Sequence, residues 1–359
     1  MKNLRLKNVL SNMEKHGLDE MIITSPASIF YLTGKWIEPG ERMLALCIST
    51  NGKSKLFINA LFPMNEDLGV ELQVYRDGED PIALLSQYIK NKKLGIDKNW
   101  PSHFLIRLME YNKELTFVNG STIIDEVRMI KDEEEIDLMR EASKVNDSVM
   151  REVIKVLNEK NDEKAICKLL AELYEKQGTY SFSFHPLIAY GANAAEPHHD
   201  SDNTRLKSGD SVIIDIGGLT NRYCSDMTRT VFYKTVSKEQ ENIYDLVLQA
   251  NKKAIETVRP GVKFSDIDKA ARNVIEEAGY GQYFTHRTGH NIGIEVHEFP
   301  DVSAVNDMIV QKGMIFSIEP GIYLPGNSGV RIEDLVVVTE QGCEILNSQS
   351  KDLMVINAI

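Results

Sequence analysis

Apolar positions along the chain recur at two spacings, and the places where the spacing changes mark the elements. Leu4, Leu6, Val9, Leu10 and Met13 repeat every three to four residues and predict a helix over 4–16 that Gly17 ends. A short strand over 20–24 follows. Ser25-Pro26 then opens a second helix that runs through Phe30-Tyr31-Leu32 to Gly34. Residues 43–49 and 54–59 flank Thr50-Asn51-Gly52-Lys53, a hairpin signal. Strands over 72–75, 94–97 and 115–118 alternate with helices over 81–90 and 102–111, which predicts a mixed sheet covered by helices. Asn119-Gly120-Ser121 is a candidate boundary. The expected domains are therefore 1–125, an α/β unit, and 126–359.

The second part opens with helices. Asp132 is placed to cap one that buries Ile136, Met139, Val145, Val149, Val153 and Leu157, and 163–177 reads as another. Strands are predicted over 181–189, over the apolar run around Asp215, and over 226–233. Ser237 and Gln240 form a reciprocal cap on a helix over 238–258, and a further helix spans 265–278. The remainder is strand-rich. Two rounds of two helices followed by strands suggest a pseudo-repeat, with helices over one face of an antiparallel sheet.

Acids break this pattern. Asp215 sits beside Val212, Ile213 and Ile214. Glu319 follows Ile315-Phe316-Ser317-Ile318, and Glu333 precedes Leu335-Val336-Val337-Val338. A carboxylate in such a strand is costly to bury unless an opposite charge or a cation meets it. One such acid reads as readily as a structural ion pair. Three of them, with Asp226 after a Gly-Gly turn, are harder to assign to ion pairs alone. Five of the eight histidines, His198, His199, His286, His290 and His297, fall in two short stretches of the same half. Carboxylates with an imidazole form a hard ligand set suited to manganese or a similar divalent ion. Four carboxylates exceed the need of one cation and suggest a bridged pair ~3.5–4 Å apart.

Composition narrows the class. The net charge of −12 over 359 residues disfavours nucleic acid and anionic membrane as partners. No apolar run is long enough for a membrane span, and the charged first residues show no signal peptide. The four cysteines form no CxxC pair, so reduced thiols and a cytoplasmic protein are expected.

The motifs Asn193-Ala-Ala-Glu-Pro-His198-His, Asp215-Ile-Gly-Gly, Ser225-Asp226-Met-Thr-Arg-Thr, Gly289-His290-Asn-Ile-Gly, His297-Glu298, Ile318-Glu319-Pro320-Gly and Arg331-Ile-Glu333-Asp, in this order, resemble the "pita-bread" metallopeptidases. The first domain resembles the creatinase/prolidase N-terminal domain, which narrows the likeness to Xaa-Pro peptidases and creatinase. The resemblance implies an α/β (α+β) protein whose second domain is a curved antiparallel sheet covered by helices. It implies metal ligands at Asp215, Asp226, His290, Glu319 and Glu333, holding two divalent ions per subunit: manganese first, with cobalt or zinc as alternatives. It implies catalytic roles for His198 and His297 at the scissile carbonyl and for Glu319 as proton carrier, with His286 and Arg331 near the substrate. The implied reaction is hydrolysis of the bond between an N-terminal residue and proline by a hydroxide shared between the ions. The substrate is then a small peptide with proline second, and the protein a homodimer. The alternatives are a binding protein on the same fold without turnover and a creatinase-like amidinohydrolase, both disfavoured by the complete ligand set. Among the neighbours, Thr228 reads either as a strand residue only or as a partner that orients Asp226, His199 as a satisfied neighbour of His198, and Glu298 as a solvent-facing pair with a Lys or Arg. Asn291 stands where many relatives carry Gly, a change that bears on the backbone there, although Asn tolerates unusual dihedrals better than most residues. Asp301 stands where some prolidases carry an arginine for the substrate carboxylate, which counts against a dipeptide-only substrate and leaves Xaa-Pro dipeptidase and Xaa-Pro aminopeptidase both open.

Overall fold

The computed structural model describes residues 1–357, which divide into two compact units, Met1–Arg128 and a second beginning at Met129. Each is described by itself.

The first unit holds strands β1 (Glu20–Ile23), β2 (Ala45–Ser49), β3 (Ser54–Asn59), β4 (Glu71–Tyr75), β5 (Lys93–Ile96) and β6 (Thr116–Asn119) in one sheet, ordered β4-β3-β2-β1-β5-β6. β1–β2 and β2–β3 are antiparallel and the other pairings parallel, so the sheet is mixed. Its helices are α1 (Asn3–Lys15), α2 (Pro26–Thr33), α3 (Pro81–Tyr88), α4 (Ser102–Tyr111) and α5 (Ser121–Arg128). Helix starts follow local chemistry. Ser25 and Asp80 cap α2 and α3, each with proline in the first turn, where its missing N–H costs nothing. Helix α5 was not expected. Its eight residues bury Ser121, Ile123, Ile124 and Arg128, too short a pattern to stand out beside the turn signal at 119–121.

The second unit holds helices α6 (Glu133–Val156), α7 (Glu163–Lys176), α8 (Lys238–Thr257) and α9 (Phe264–Glu277). Asp132 with Glu135 and Ser237 with Gln240 form reciprocal capping boxes on α6 and α8. The strands are β7 (Leu187–Tyr190), β8 (Ser211–Ile216), β9 (Leu219–Thr220), β10 (Tyr223–Cys224), β11 (Met227–Tyr233), β12 (Gly289–Asn291), β13 (Glu298–Val302), β14 (Ile315–Ile318), β15 (Gly321–Leu324), β16 (Ser328–Arg331), β17 (Asp334–Val338), β18 (Cys343–Ile345) and β19 (Val355–Ile356). They form a sheet ordered β19-β11-β8-β7, a sheet ordered β13-β12-β14-β17-β18, and two ribbons, β9–β10 and β15–β16. All pairings are antiparallel except β11–β19. The strand expected over 181–189 shrinks to β7. Upstream, Phe182 only bridges Gly218, and Phe184, His185 and Pro186 leave the sheet to line a cavity.

Alternation along β8 assigns its faces. Val212, Ile214 and Ile216 enter a core built with Val149, Val153, Ile166 and Leu170 of α6 and α7. Ile213 packs the opposite way, with Leu187, Ala189, Ala194 and Tyr323. Asp215 shares that second face, away from the helices. The other sheet rests on a second core, in which Val336 and Phe316 meet Val247 of α8 and Phe264 of α9. No helix among the described residues is long and apolar enough to cross a membrane.

Candidate functional site

Two strand pairs bring the acids together. In the first, Asp215 faces Thr228 across the β8–β11 ladder, and Asp226 immediately precedes β11. In the second, Ile318 faces Asp334 and Gly321 faces Arg331. The β14–β17 and β15–β16 pairings thus continue one register, and Glu319 and Glu333 occupy the interrupted rung between them. Pro320 has no N–H to offer the ladder there. The neighbouring amides turn elsewhere: Glu319 N donates to Thr288 O, just before β12 (2.8 Å), and Glu333 N to Thr228 O of β11 (3.1 Å). The break in one hairpin therefore joins it to both sheets and sets its two acids beside Asp226.

All nine residues singled out by sequence (Asp215, Asp226, His290, Glu319, Glu333, His198, His297, His286 and Arg331) line one cavity of about 550 Å³. Asp226, His290 and Glu333 each present a ligand atom within 4.8 Å of the others. His290 Nε2 lies 3.7 Å from Asp226 Oδ2 and 3.5 Å from Glu319 Oε1. Asp215 Oδ2 accepts from Arg331 Nη2 at 2.6 Å, and its buried Oδ1 has no hydrogen-bond partner among the described residues.

The electrostatics suit a cation among these atoms. Burial, then repulsion from Glu333, Asp215 and Glu319, holds the Asp226 carboxyl well above its usual range. Burial, then Glu319 and Asp215, does the same to Glu333. Burial raises Glu319 to about 7, with the nearby Arg331 opposing it. Burial and the His297 charge push His290 down to about 3, so it is neutral. Its Nδ1 lies 3.1 Å from Asn291 O, which fixes the proton there and leaves the Nε2 lone pair facing two carboxylates. Lone pairs facing lone pairs, with one buried carboxylate oxygen unpartnered, form a donor set that divalent cations fit.

Arg331 is wholly committed within the protein. Nε donates to Thr228 Oγ1 (3.1 Å), Nη1 to Tyr323 Oη (2.9 Å) and Nη2 to Asp215. Because Tyr323 Oη accepts from Arg331, its own proton goes to His286 Nε2 at 2.8 Å. His286 Nδ1 then carries the proton donated to Arg287 O at 2.7 Å. Both ring nitrogens of His286 are used, and burial beside the Arg331 charge lowers its pKa to about 4, in keeping with a neutral ring. His286 and Arg331 therefore stand at the cavity wall with their polar atoms tied into a chain that ends on Asp215.

Several neighbours differ from expectation. Thr228 Oγ1 donates to Glu333 Oε2 (2.8 Å), so it orients Glu333 rather than Asp226. Residues two apart on a strand share a face, but Glu333 comes closer from the adjoining hairpin. Glu298 is buried, not at the surface. It pairs with buried Lys131 at 3.1 Å and accepts from the amides of Ile294 (2.9 Å) and Glu295 (3.2 Å), holding the turn before His297. Asn291 keeps a strand conformation. Its Nδ2 donates to Pro300 O, and the ladder irregularity lies between it and His290. Exposed Arg287 also lines the cavity, 4.0 Å from Asp301. His199 Nε2 meets Glu163 at 2.8 Å and is satisfied as expected. Tyr323 and Lys131 carry no local signal in the sequence: Tyr323 acts through Arg331 across the β15–β16 hairpin and His286 37 positions away, and Lys131 through Glu298, 167 positions away.

Residues 137–340 match metallopeptidase family M24, and residues 5–130 match the creatinase/prolidase N-terminal domain. An uncharacterized peptidase of Staphylococcus aureus (strain MSSA476) is 36% identical over 350 residues, covering 97% of this chain and 99% of its own. The crystal structure of a prolidase from Thermococcus sibiricus is similar with a TM-score of 0.94 at 32% identity, over 98% of each chain. A dipeptidase structure from Pyrococcus horikoshii OT3 gives a TM-score of 0.93 at 35% identity, over 98% of this chain and 100% of its own.

Proposed function

The chain belongs to metallopeptidase family M24, and we propose that it hydrolyses the bond before proline in small peptides, with dipeptides as its main substrates. The observation that supports this most is the convergence of Asp226, His290 and Glu333 within 4.8 Å at the floor of the cavity, with Glu319 beside them. Asp215, Asp226, His290, Glu319 and Glu333 would hold two divalent ions, manganese by preference. When bound, the ions supply a water of lowered pKa and polarisation of the scissile carbonyl.

The chain's own residues do the rest. His198 and His297, both exposed on the cavity wall, donate hydrogen bonds to the carbonyl oxygen as negative charge grows on it. Glu319 holds the proton taken from water and returns it to the departing proline nitrogen, which must be protonated to leave. Ser317 Oγ donates to Glu319 Oε1 at 3.1 Å and keeps that carboxylate in place. Arg331 holds Asp215, and Thr228 holds Glu333. The dipeptide preference rests on the names of the solved relatives and on Arg287, an exposed cation on the cavity wall that a substrate carboxylate would take over from Asp301, 4.0 Å away. We further propose a homodimer in the cytoplasm, as the family resemblance suggests.

The test compares kcat/KM for an Xaa-Pro dipeptide and an Xaa-Pro-Yaa tripeptide after loading with Mn²⁺. Faster turnover of the dipeptide is expected. Turnover of the tripeptide alone would make the protein an aminopeptidase, and no turnover of either would end the proposal.

Metal stripping has a pH-dependent consequence. In the ion-free fold, Asp226, Glu319 and Glu333 titrate above their ordinary ranges. Below the usual carboxylate range they are protonated in both folded and unfolded chains, and the fold keeps their full contribution. As pH rises towards and through about 7 for Glu319, the folded state holds protons that the unfolded state has lost, and stability falls. Bound cations remove this loss, and they bind better as protons leave. The melting-temperature difference between Mn²⁺-loaded and EDTA-treated protein is therefore expected to widen from pH 5 to pH 8. Differential scanning calorimetry checks this, and a constant or narrowing gap would contradict it.

A further inference from the structure

Glu163 lies at the start of α7, fully buried and outside the cavity described above. Its carboxylate meets four N–H donors. Oε1 accepts from Tyr190 N (2.8 Å) and Asn193 Nδ2 (2.9 Å), and Oε2 accepts from His199 Nε2 (2.8 Å) and Asp202 N (2.8 Å). An ionised carboxylate offers about four lone-pair positions, and here all are used. Glu163, His199 and Asp202 also lie close enough to suggest a second metal site. The saturation of Glu163 by N–H donors argues instead for a clamp on the chain.

What the clamp holds is the segment carrying His198. Two donors precede His198 and two follow it, so both flanks are drawn onto one buried group. The His198 ring itself is exposed and has no hydrogen-bond partner among the described residues. Its position in the cavity is therefore set by its backbone, and the backbone is set by Glu163. Backbone bonds from Glu163 N to Thr204 O (3.2 Å) and Lys164 N to Asp202 O (3.1 Å) tie the same segment to α7.

We propose that Glu163, acting through His199 and the 190–202 segment, is the positioning residue for His198 in peptide hydrolysis. This rests on the reading of His198 as a donor to the scissile carbonyl. Glu163→Gln keeps the shape but turns an NH₂ towards two N–H groups. His199 can adapt by changing tautomer, whereas the amides of Tyr190 and Asp202 cannot. The variant is expected to lower kcat by about 10–100-fold, the range for outer partners of active groups, with KM and bound metal unchanged. In a His198→Ala background the same change should alter kcat by less than about twofold, because the group it acts through is gone.

Equal losses in both backgrounds, or no loss in the wild-type background, would overturn the proposal. If Glu163→Gln does not fold, His199→Leu and His199→Gln replace it: leucine should lower kcat and glutamine, which keeps an N–H donor, should restore most of it, again only when His198 is present. The ¹H–¹³C resonance of the His198 ring in zinc-loaded protein, where no paramagnetic ion broadens it, separates the clamp from the hydrolase reading. A broadened or shifted resonance in Glu163→Gln, in a protein that cleaves no Xaa-Pro peptide, supports the clamp and sinks the hydrolase reading. An unchanged resonance with lowered turnover leaves hydrolysis standing and sinks the clamp.

Discussion

Glu333→Gln is expected to lower kcat/KM on an Xaa-Pro dipeptide by roughly a thousandfold or more, because bound metal supplies several kcal/mol of charge stabilisation and each 1.36 kcal/mol is tenfold in rate. The same substitution should raise the melting temperature of the metal-stripped protein. Glu333 is buried, and its carboxyl is held well above the usual range by burial and then by the charges of Glu319 and Asp215. A neutral amide of the same shape removes that conflict and can still accept from Thr228 Oγ1 through its oxygen. Activity and ion-free stability thus move in opposite directions, as expected where a site carries strain that its ligand relieves. Kinetics and calorimetry on one preparation check both. Loss of stability together with loss of activity would mean that Glu333 is a structural acid.

His198→Ala should cost about 10²–10³-fold in kcat, the range for removing one donor to a developing oxyanion. Its signature differs from that of Glu333→Gln. Bound metal and melting temperature should stay at wild-type values, because His198 is exposed and makes no hydrogen bond among the described residues. KM should change little, since the interaction strengthens only as charge builds on the oxygen. Steady-state kinetics with metal analysis measures this. A rise in KM with kcat unchanged would make His198 a binding group instead.

Much of the site was legible because its chemistry conflicts with its surroundings. Asp215 beside Val212 to Ile214, and Glu333 before Leu335 to Val338, stand out as charges in apolar strands, and a strand pattern is readable over a few residues. The helix starts at Asp132 and Ser237 were legible for the same local reason, since capping needs only four residues. What could not be read depends on pairing across the chain. The shared register that sets Glu319 opposite Glu333 is visible only once β14 to β17 are in place. Thr228 meets Glu333, more than a hundred positions away, instead of its neighbour Asp226. The Arg331–Tyr323–His286 chain is of the same kind, and so is the burial of Glu298 by Lys131. The segment before β7 failed differently. Its composition suits a strand, but Phe184 to Pro186 serve as cavity wall, and Pro186 has no N–H for a ladder.

We propose that Asp215, Asp226, His290, Glu319 and Glu333 together hold a pair of divalent ions on which hydrolysis depends. Titration of EDTA-stripped protein with Mn²⁺, counting bound ions per chain while following cleavage of an Xaa-Pro dipeptide, tests it most directly. Turnover should be absent at the start and reach its plateau as the second ion binds. Full turnover in the stripped protein, or tight binding of manganese with no effect on cleavage, would contradict the account.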